Sequence, residues 1–303
     1  NGVVTGQNLE DSRSAEELIA EAVAMAKSAD HVIFVGGLNK SEKQDSEGAD
    51  RLSLGLPYNQ NDVIEALAHA TKHLTVVLVS GNAVEMPWLK DVESVVQAWY
   101  LGSEAGNALA NILSGEVNPS GKLPFTFGKR LEDYPAHADG ATFPNPGKVY
   151  YHDDIFVGYR GFEQRGIEPI FAFGHGLSYT TFEYSDLRLS ATEVSAGDDM
   201  STPILRASAT ITNTGSRAGK EVVQLYIADV ESSVMRPIKE LKGFEKVELQ
   251  PGESTTVTFT ITPEALAFYD ENNATWSAER GEFRVLVGAS SADIRLEESF
   301  MLK

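Results

Sequence analysis

With 303 residues, 42% of them hydrophobic and 23% charged, the chain has enough apolar material for two cores and the ordinary composition of a globular protein. Its 25 basic and 44 acidic residues leave a net charge of −19, a sign that opposes phosphate backbones, excludes nucleic acid as an expected partner and favours neutral or cationic ligands. The absence of cysteine excludes disulfides, thiolate chemistry and cysteine-based zinc sites, and no apolar run approaches the ~18 residues needed to span a bilayer, so no membrane association is expected.

The start, Asn1-Gly2-Val3-Val4, has neither an initiator methionine nor a basic-then-apolar leader, and reads as the beginning of a processed or excised piece. Residues 1–13 are polar and irregular. A helix is predicted from Ser14, where Ser14 and Glu17 form a capping box, and Leu18, Ile19, Ala22, Val23 and Ala26 recur at helical spacing. Residues 31–37 follow as a strand whose apolar side chains are consecutive, the pattern of a strand covered on both faces. A helix over about 59–71 leads to a buried strand at 74–79. A strand at 94–100 and a helix at 103–113, stopped by Ser114-Gly115, form the third unit. A strand at 122–127 is predicted to close the region. Helices alternating with short apolar strands imply a mostly parallel sheet with helices on both faces, an α/β/α sandwich with flavodoxin-like layering, over 1–128.

From 129 to 184 regularity gives way to a Pro-, Gly- and aromatic-rich segment. Tyr134, Phe143, Tyr150, Tyr151, Phe156, Tyr159, Phe162, Phe171, Phe173, Tyr179 and Phe182 make it too aromatic for a floppy linker, so it is expected to wrap against the first domain. Over 185–303 the apolar period becomes two: Leu205, Ala207, Ala209 and Ile211; Val223, Leu225 and Ile227; Val257, Phe259 and Ile261; Phe283, Val285 and Val287. Turn signals at Asn213-Thr214-Gly215, Pro251-Gly252 and Asn272-Asn273 separate these strands, which together imply a β-sandwich. The fold class is therefore α/β plus all-β.

The chemistry concentrates in the loop after the first strand. Asp45, Glu47, Asp50 and Arg51 lie with Gly48 in eight positions, on an exposed loop at a strand's carboxyl end, where α/β sheets place ligand chemistry. A carboxylate there can act as acid or base. On charge pattern alone, the same loop also reads as the solvated edge of an acidic protein.

Ser46-Glu47-Gly48-Ala49-Asp50-Arg51, followed by Leu54-Gly55-Leu56-Pro57 and Gln60, resembles the acid/base loop of glycoside hydrolase family 3, the β-glucosidase family. The likeness continues through Val79-Ser80-Gly81-Asn82, residues 97–106, Asn118-Pro119-Ser120-Gly121-Lys122-Leu123-Pro124, Val157-Gly158-Tyr159-Arg160, residues 173–179, Thr212-Asn213-Thr214-Gly215 and Ala218-Gly219-Lys220-Glu221-Val222. It implies a retaining, exo-acting β-glucosidase acting on oligosaccharides or aryl β-glucosides, with β-xylosides as the nearest variant. It implies no cofactor and no metal. Glu47 matches the family's general acid/base; Asp50 and Arg51 match supporting positions that fix the loop, and Asp45 either stabilises the proton on Glu47 through like-charge repulsion or faces water. The aspartate nucleophile of the family belongs to an N-terminal (β/α)8 barrel, which ~250 residues are needed to build, so that barrel domain is the implied partner and this chain alone is expected to be inactive. The resemblance also makes residues 185–303 a fibronectin type III-like domain.

Glu104, at a helix start, is satisfied by a structural role facing the amide dipole. Gly115 to Leu123 resembles a phosphate loop but has one residue too many between its glycines and lacks the magnesium-binding hydroxyl; no Gly-x-Ser-x-Gly elbow occurs. The six histidines, His31, His69, His73, His137, His152 and His175, show no ligand spacing along the chain, and His152-Asp153-Asp154 reads as loop polarity or a cation site. Asn39-Lys40-Ser41 and Asn273-Ala274-Thr275 are glycosylation sequons, of consequence only in a eukaryotic secretory host. A periplasmic or secreted location of bacterial type is expected, although a cysteine-free chain also suits a reducing cytosol. The competing reading is a non-catalytic structural or carbohydrate-binding attachment module, disfavoured because the sandwich sequence shows no exposed aromatic row.

Overall fold

The computed structural model describes residues 12–41, 43–48, 51–138, 147–197 and 199–303. The expectations for residues 1–11, Asp50 and Phe143 lie outside them. Contacts group the chain into two compact units, Asn1–Gly106 and Asn107–Lys303.

The first unit begins with α1 (Ala15–Ala26). Its capping box forms as the sequence predicts: the Glu17 amide donates to Ser14 Oγ at 3.2 Å and the Ser14 amide to Glu17 Oε2 at 2.8 Å. After it come β1 (Val32–Gly37), α2 (Gln60–Ala70), β2 (Leu74–Val79) and β3 (Ser94–Gln97). These strands form one parallel sheet in the order β1-β2-β3. Central β2 is the most buried, with Leu74, Val76, Val77 and Leu78 inaccessible, while α2 packs on β1, β2 and α1.

Two local expectations change. β1 is not covered on both faces: Val32 and Phe34 are partly buried, but Ile33 and Val35, which point the other way, are 52% and 61% exposed. β3 stops at Gln97 instead of residue 100, because Trp99 takes a left-handed backbone, φ 55°, that cannot continue a strand. A 3-10 turn, Gly102–Glu104, then leads into α3 (Ala105–Leu113).

In the second unit the strand expected at 122–127 is reduced to a Phe127–Phe171 bridge. Pro124 has no amide to donate. The segment still pairs through Leu123 and Phe127, whose amides donate to the carbonyls of His175 and Phe171, each at 2.8 Å. Past α4 (Tyr159–Gln164) the chain enters its sandwich strands, all antiparallel but for β5, which runs parallel to the last: β4 (Phe182–Leu189), β5 (Glu193–Val194), β6 (Leu205–Asn213), β7 (Gly219–Asp229), β8 (Glu240–Leu249) and β9 (Ser254–Ile261). A short α5 (Pro263–Leu266) and the hairpin β10 (Phe268–Asp270) and β11 (Thr275–Ser277) precede β12 (Gly281–Ser290) and β13 (Asp293–Leu302). One sheet runs β5-β13-β12-β7-β8, the other β4-β6-β9. The alternating residues read from the sequence fill the space between them: Ala207, Ile211, Val223, Ile261, Phe283, Val285 and Val287 all belong to one buried cluster.

A second cluster lies on the outer face of the larger sheet, around Tyr226, Ala228 and Leu286. Part of the aromatic segment packs there. Tyr159 stacks on Phe173 at 5.0 Å, meets Tyr226 edge-on at 6.1 Å, and its hydroxyl accepts the Leu241 amide at 2.8 Å. This packing buries β7 on both faces, which is why Leu225, Tyr226, Ile227 and Ala228 are consecutive buried residues.

Candidate active site

All three strands of the parallel sheet run the same way, so the loops leaving them meet at one edge. Gly37 and Gln60 anchor the first and longest of these loops. Gln60 Oε1 accepts the Gly37 amide at 2.7 Å, and Gln60 Nε2 donates to the carbonyls of Gly37 and Pro57, both at 2.9 Å. Gly37 has φ +134°, and a Cβ there would lie 2.0 Å from the Val79 carbonyl oxygen, so only glycine can make this exit.

Within the loop, Asn39 Oδ1 accepts the Ser41 amide at 2.7 Å, its carbonyl accepts the Asp45 amide at 3.0 Å, and Gln44 Nε2 donates to the Tyr58 hydroxyl at 2.7 Å. The Asp45 carboxylate then reaches the other two loops. Its Oδ2 accepts the Gly81 amide at 2.6 Å and the Tyr100 hydroxyl at 2.8 Å. Gly81 lacks a side chain for good reason: a Cβ would stand 3.1 Å from the Tyr100 ring and 3.3 Å from Asp45 Oδ2. The Gly81 loop is itself held by Gln97, whose Nε2 donates to both Ser80 oxygens at 3.0 Å.

These contacts surround an open cavity of about 390 Å³ lined by Gln44, Asp45, Ser46, Arg51, Gly81, Asn82 and Tyr100. Burial, followed by the hydrogen bond and charge of Asp45, pushes the Tyr100 hydroxyl up to about 12, so it stays a proton donor to Asp45 throughout the neutral range. Arg51 Nη2 donates to the Ala83 carbonyl at 2.8 Å, tying the loop's far end to the segment after β2. Ser46 Oγ is buried on the cavity wall without a hydrogen-bond partner among the described residues. Of the seven non-glycine residues with positive φ among those described, Lys43, Tyr58, Asn59 and Trp99 belong to these loops, and such strain gathers at functional sites.

Glu47 follows Ser46 directly, in an exposed turn with Gly48 at φ 84°. Glu47 and Arg51 thus belong to the same loop, Arg51 on the cavity wall and Glu47 exposed beside it, while Asp50 lies outside the described residues. Glu104 sits in the 3-10 turn before α3. The sequence left Asp45 open between stabilising the Glu47 proton and facing water, where the structure has it accept from Gly81 and Tyr100, and it did not single out Tyr100, although Tyr100 lies within the 97–106 stretch that carries the resemblance. Only the fold brings the two together.

The chain thus joins a carboxylate-bearing loop, braced at the strand ends of an α/β layer, to a following β-sandwich, and the family is settled by likeness to known proteins. The model of the glycosyl hydrolase family 3 C-terminal domain matches residues 4–179, and that of the fibronectin type III-like domain matches residues 221–291. The chain belongs to glycosyl hydrolase family 3. It is 52% identical to a β-glucosidase of Bacteroides ovatus over 93% of this chain and 37% of that enzyme, and 48% identical to thermostable β-glucosidase B of Acetivibrio thermocellus over 97% of this chain and 38% of that enzyme. Among solved structures it is similar to the Kluyveromyces marxianus β-glucosidase in complex with glucose, with a TM-score of 0.86 and 38% identity over 97% of this chain and 34% of that one. The chain therefore spans little more than a third of the length of these relatives.

Proposed function

We propose that this chain supplies the general acid/base half of a retaining, exo-acting β-glucosidase, which removes terminal non-reducing β-D-glucosyl residues from oligosaccharides or aryl β-glucosides. Glu47 protonates the departing glycosidic oxygen while an aspartate on an N-terminal (β/α)8 barrel domain attacks the anomeric carbon. Glu47 then takes a proton from the water that hydrolyses the glycosyl-enzyme. Among the described residues the parallel sheet has three strands, so the barrel is a separate domain in this reading.

The observation that carries the proposal is the bracing of the Glu47 loop by Asp45, which ties it to the loops after the other two strands. A proton donor needs such fixed placement, because a small misplacement relative to the leaving oxygen costs rate steeply. It also needs removal from water to hold its proton. Glu47 is exposed here, and its own loop and the loop after β3 carry the exposed apolar side chains Leu52, Tyr58, Tyr100 and Leu101, suited to being covered by the barrel. Asp50 and Arg51 fix the loop rather than touch the sugar, a role with which the Arg51 bond to Ala83 is consistent.

The attachment-module reading has less support. The exposed rings of the β10–β11 hairpin, Tyr269 and Trp276, meet at 72° and so present no flat stacking surface. Among the described residues no helix is long and apolar enough to cross a membrane, and the proposal includes a periplasmic or secreted location, where oligosaccharides are encountered. The test compares hydrolysis of an aryl β-glucoside, with the matching β-xyloside alongside, by this chain alone and by the enzyme that also carries the barrel. Turnover only by the barrel-bearing enzyme supports the proposal; turnover by this chain at an equal rate overturns it.

A further inference from the structure

At the opposite edge of the parallel sheet from Asp45, where the strands begin, three metal-ligand side chains converge that lie far apart in sequence. His31 precedes β1, His73 precedes β2 and Glu93 precedes β3. The register explains the convergence. Val32 pairs with Leu74, so His31 and His73 stand side by side, and the Val32 amide donates to the His73 carbonyl at 2.9 Å. The Glu93 amide donates to the Leu74 carbonyl at 3.0 Å, which brings Glu93 to the other side of His73.

The side chains follow the backbone. The rings of His31 and His73 are 5.1 Å apart, and His73 Nδ1 lies 3.5 Å from Glu93 Oε2. One ligand atom from each of the three falls within 4.8 Å of the others, and among the described residues no other group of three does so. In a tetrahedral zinc site, with bonds of about 2.0–2.2 Å, neighbouring ligand atoms are roughly 3.3–3.6 Å apart. The His73–Glu93 pair, at 3.5 Å, already has that separation. All three side chains are exposed, so small rotations about their side-chain bonds suffice to bring in the third.

We propose that His31, His73 and Glu93 form a binding site for a divalent transition-metal ion of the zinc type, with water completing its coordination. Two imidazoles and one carboxylate suit zinc, nickel, cobalt and copper, whereas magnesium and calcium prefer oxygen ligands alone. The bound ion ties together the starts of all three parallel strands and stabilises the first unit, with no part in the chemistry at the other edge. Binding requires unprotonated imidazoles and so weakens on acidification.

The experiment titrates zinc into the protein by calorimetry, repeats it with cobalt while following its visible absorption, and records thermal unfolding with and without zinc. The wild-type protein takes up one equivalent, shows the cobalt absorption of nitrogen- and oxygen-ligated metal, and unfolds at higher temperature with zinc. His31→Gln and His73→Gln each weaken that equivalent at least tenfold and abolish the rise, Glu93→Gln weakens it less, and His69→Ala leaves it unchanged. Circular dichroism confirms that the exposed-site variants remain folded. No saturable uptake by the wild-type protein, or equal uptake by a His31→Gln, His73→Gln double variant, overturns the site.

Discussion

The Tyr100 hydroxyl donates to Asp45 at 2.8 Å across 55 positions of sequence, and the same carboxylate oxygen accepts the Gly81 amide. One side chain thus locks together the loops that follow all three parallel strands. Because the fold raises Tyr100 from 10.0 to about 12 by burial and by Asp45, the folded state favours the neutral hydroxyl. Its stabilising contribution is complete below pH 10 and is lost as pH rises through about 12. The tyrosinate absorbance of wild type minus Tyr100→Phe is expected to show one hydroxyl titrating near 12. In an Asp45→Asn background the same difference moves towards the ordinary tyrosine value.

Gly37 and Gln60 set the geometry from which the loop departs. Gly37→Ala combines a disfavoured φ of +134° with a Cβ 2.0 Å from the Val79 carbonyl oxygen. Denaturant unfolding should report a loss of ~3 kcal/mol or more in the first unit. Gln60→Ala removes three hydrogen bonds but no packing of comparable severity, and is expected to cost about 1–3 kcal/mol.

Where the aromatic segment meets the sandwich, Gln224 is buried and fully engaged. Its Nε2 donates to the carbonyls of Ala289 at 2.7 Å and Gly174 at 3.2 Å, and its Oε1 accepts the Tyr226 hydroxyl at 2.6 Å. Tyr226→Phe leaves that oxygen without its donor in a dry site and should cost about 1–3 kcal/mol, measured by chemical denaturation. Gln224→Leu should destabilise further, since two carbonyls then lose their partner.

Arg236 lies buried between Asp229, at 3.0 Å, and Glu240, at 2.9 Å. Arg236→Met strands the Asp229 carboxylate, while Glu240 keeps Lys242 at 3.5 Å, and is expected to cost ~3–5 kcal/mol near neutral pH. Burial already pushes the Asp229 carboxyl up even with the guanidinium present. Without the arginine the folded state favours the protonated acid more strongly, a contribution present at low pH and lost as pH rises. The gap between variant and wild-type unfolding free energies should therefore be smallest in acid and widen through the carboxylate range.

The elements with strong periodicity were legible in the sequence. The Ser14 capping box, the buried β2 run and the period-two strands β6, β7, β9 and β12 all appear as the residues predict, because each pattern is a direct image of which side chains meet the core. The limit of β3 was not legible, since a left-handed Trp99 decides it locally, whereas the break in residues 122–127 was signalled by Pro124, whose missing amide the strand reading passed over. The exposed Ile33 and Val35 show that consecutive apolar residues report a face able to be buried, not one that is buried within this chain. Within the candidate site, Glu47 and Arg51 were visible through their neighbours in sequence. Asp45 with Tyr100, and His31 with His73 and Glu93, were not, because contact between loops at one edge of the sheet joins the first pair and strand register brings the other three together.

The most direct test of the central claim is Glu47→Gln in the enzyme that carries both this chain and the barrel, assayed on β-glucosides of graded leaving-group ability. Loss of proton donation predicts a fall of about 10²–10⁴ in kcat/KM on poor leaving groups, a much smaller fall on activated aryl glycosides, and partial rescue by azide through a glycosyl azide product. Unchanged turnover across the series, or an equal loss on every leaving group with no azide product, would contradict the assignment of Glu47 as the acid/base.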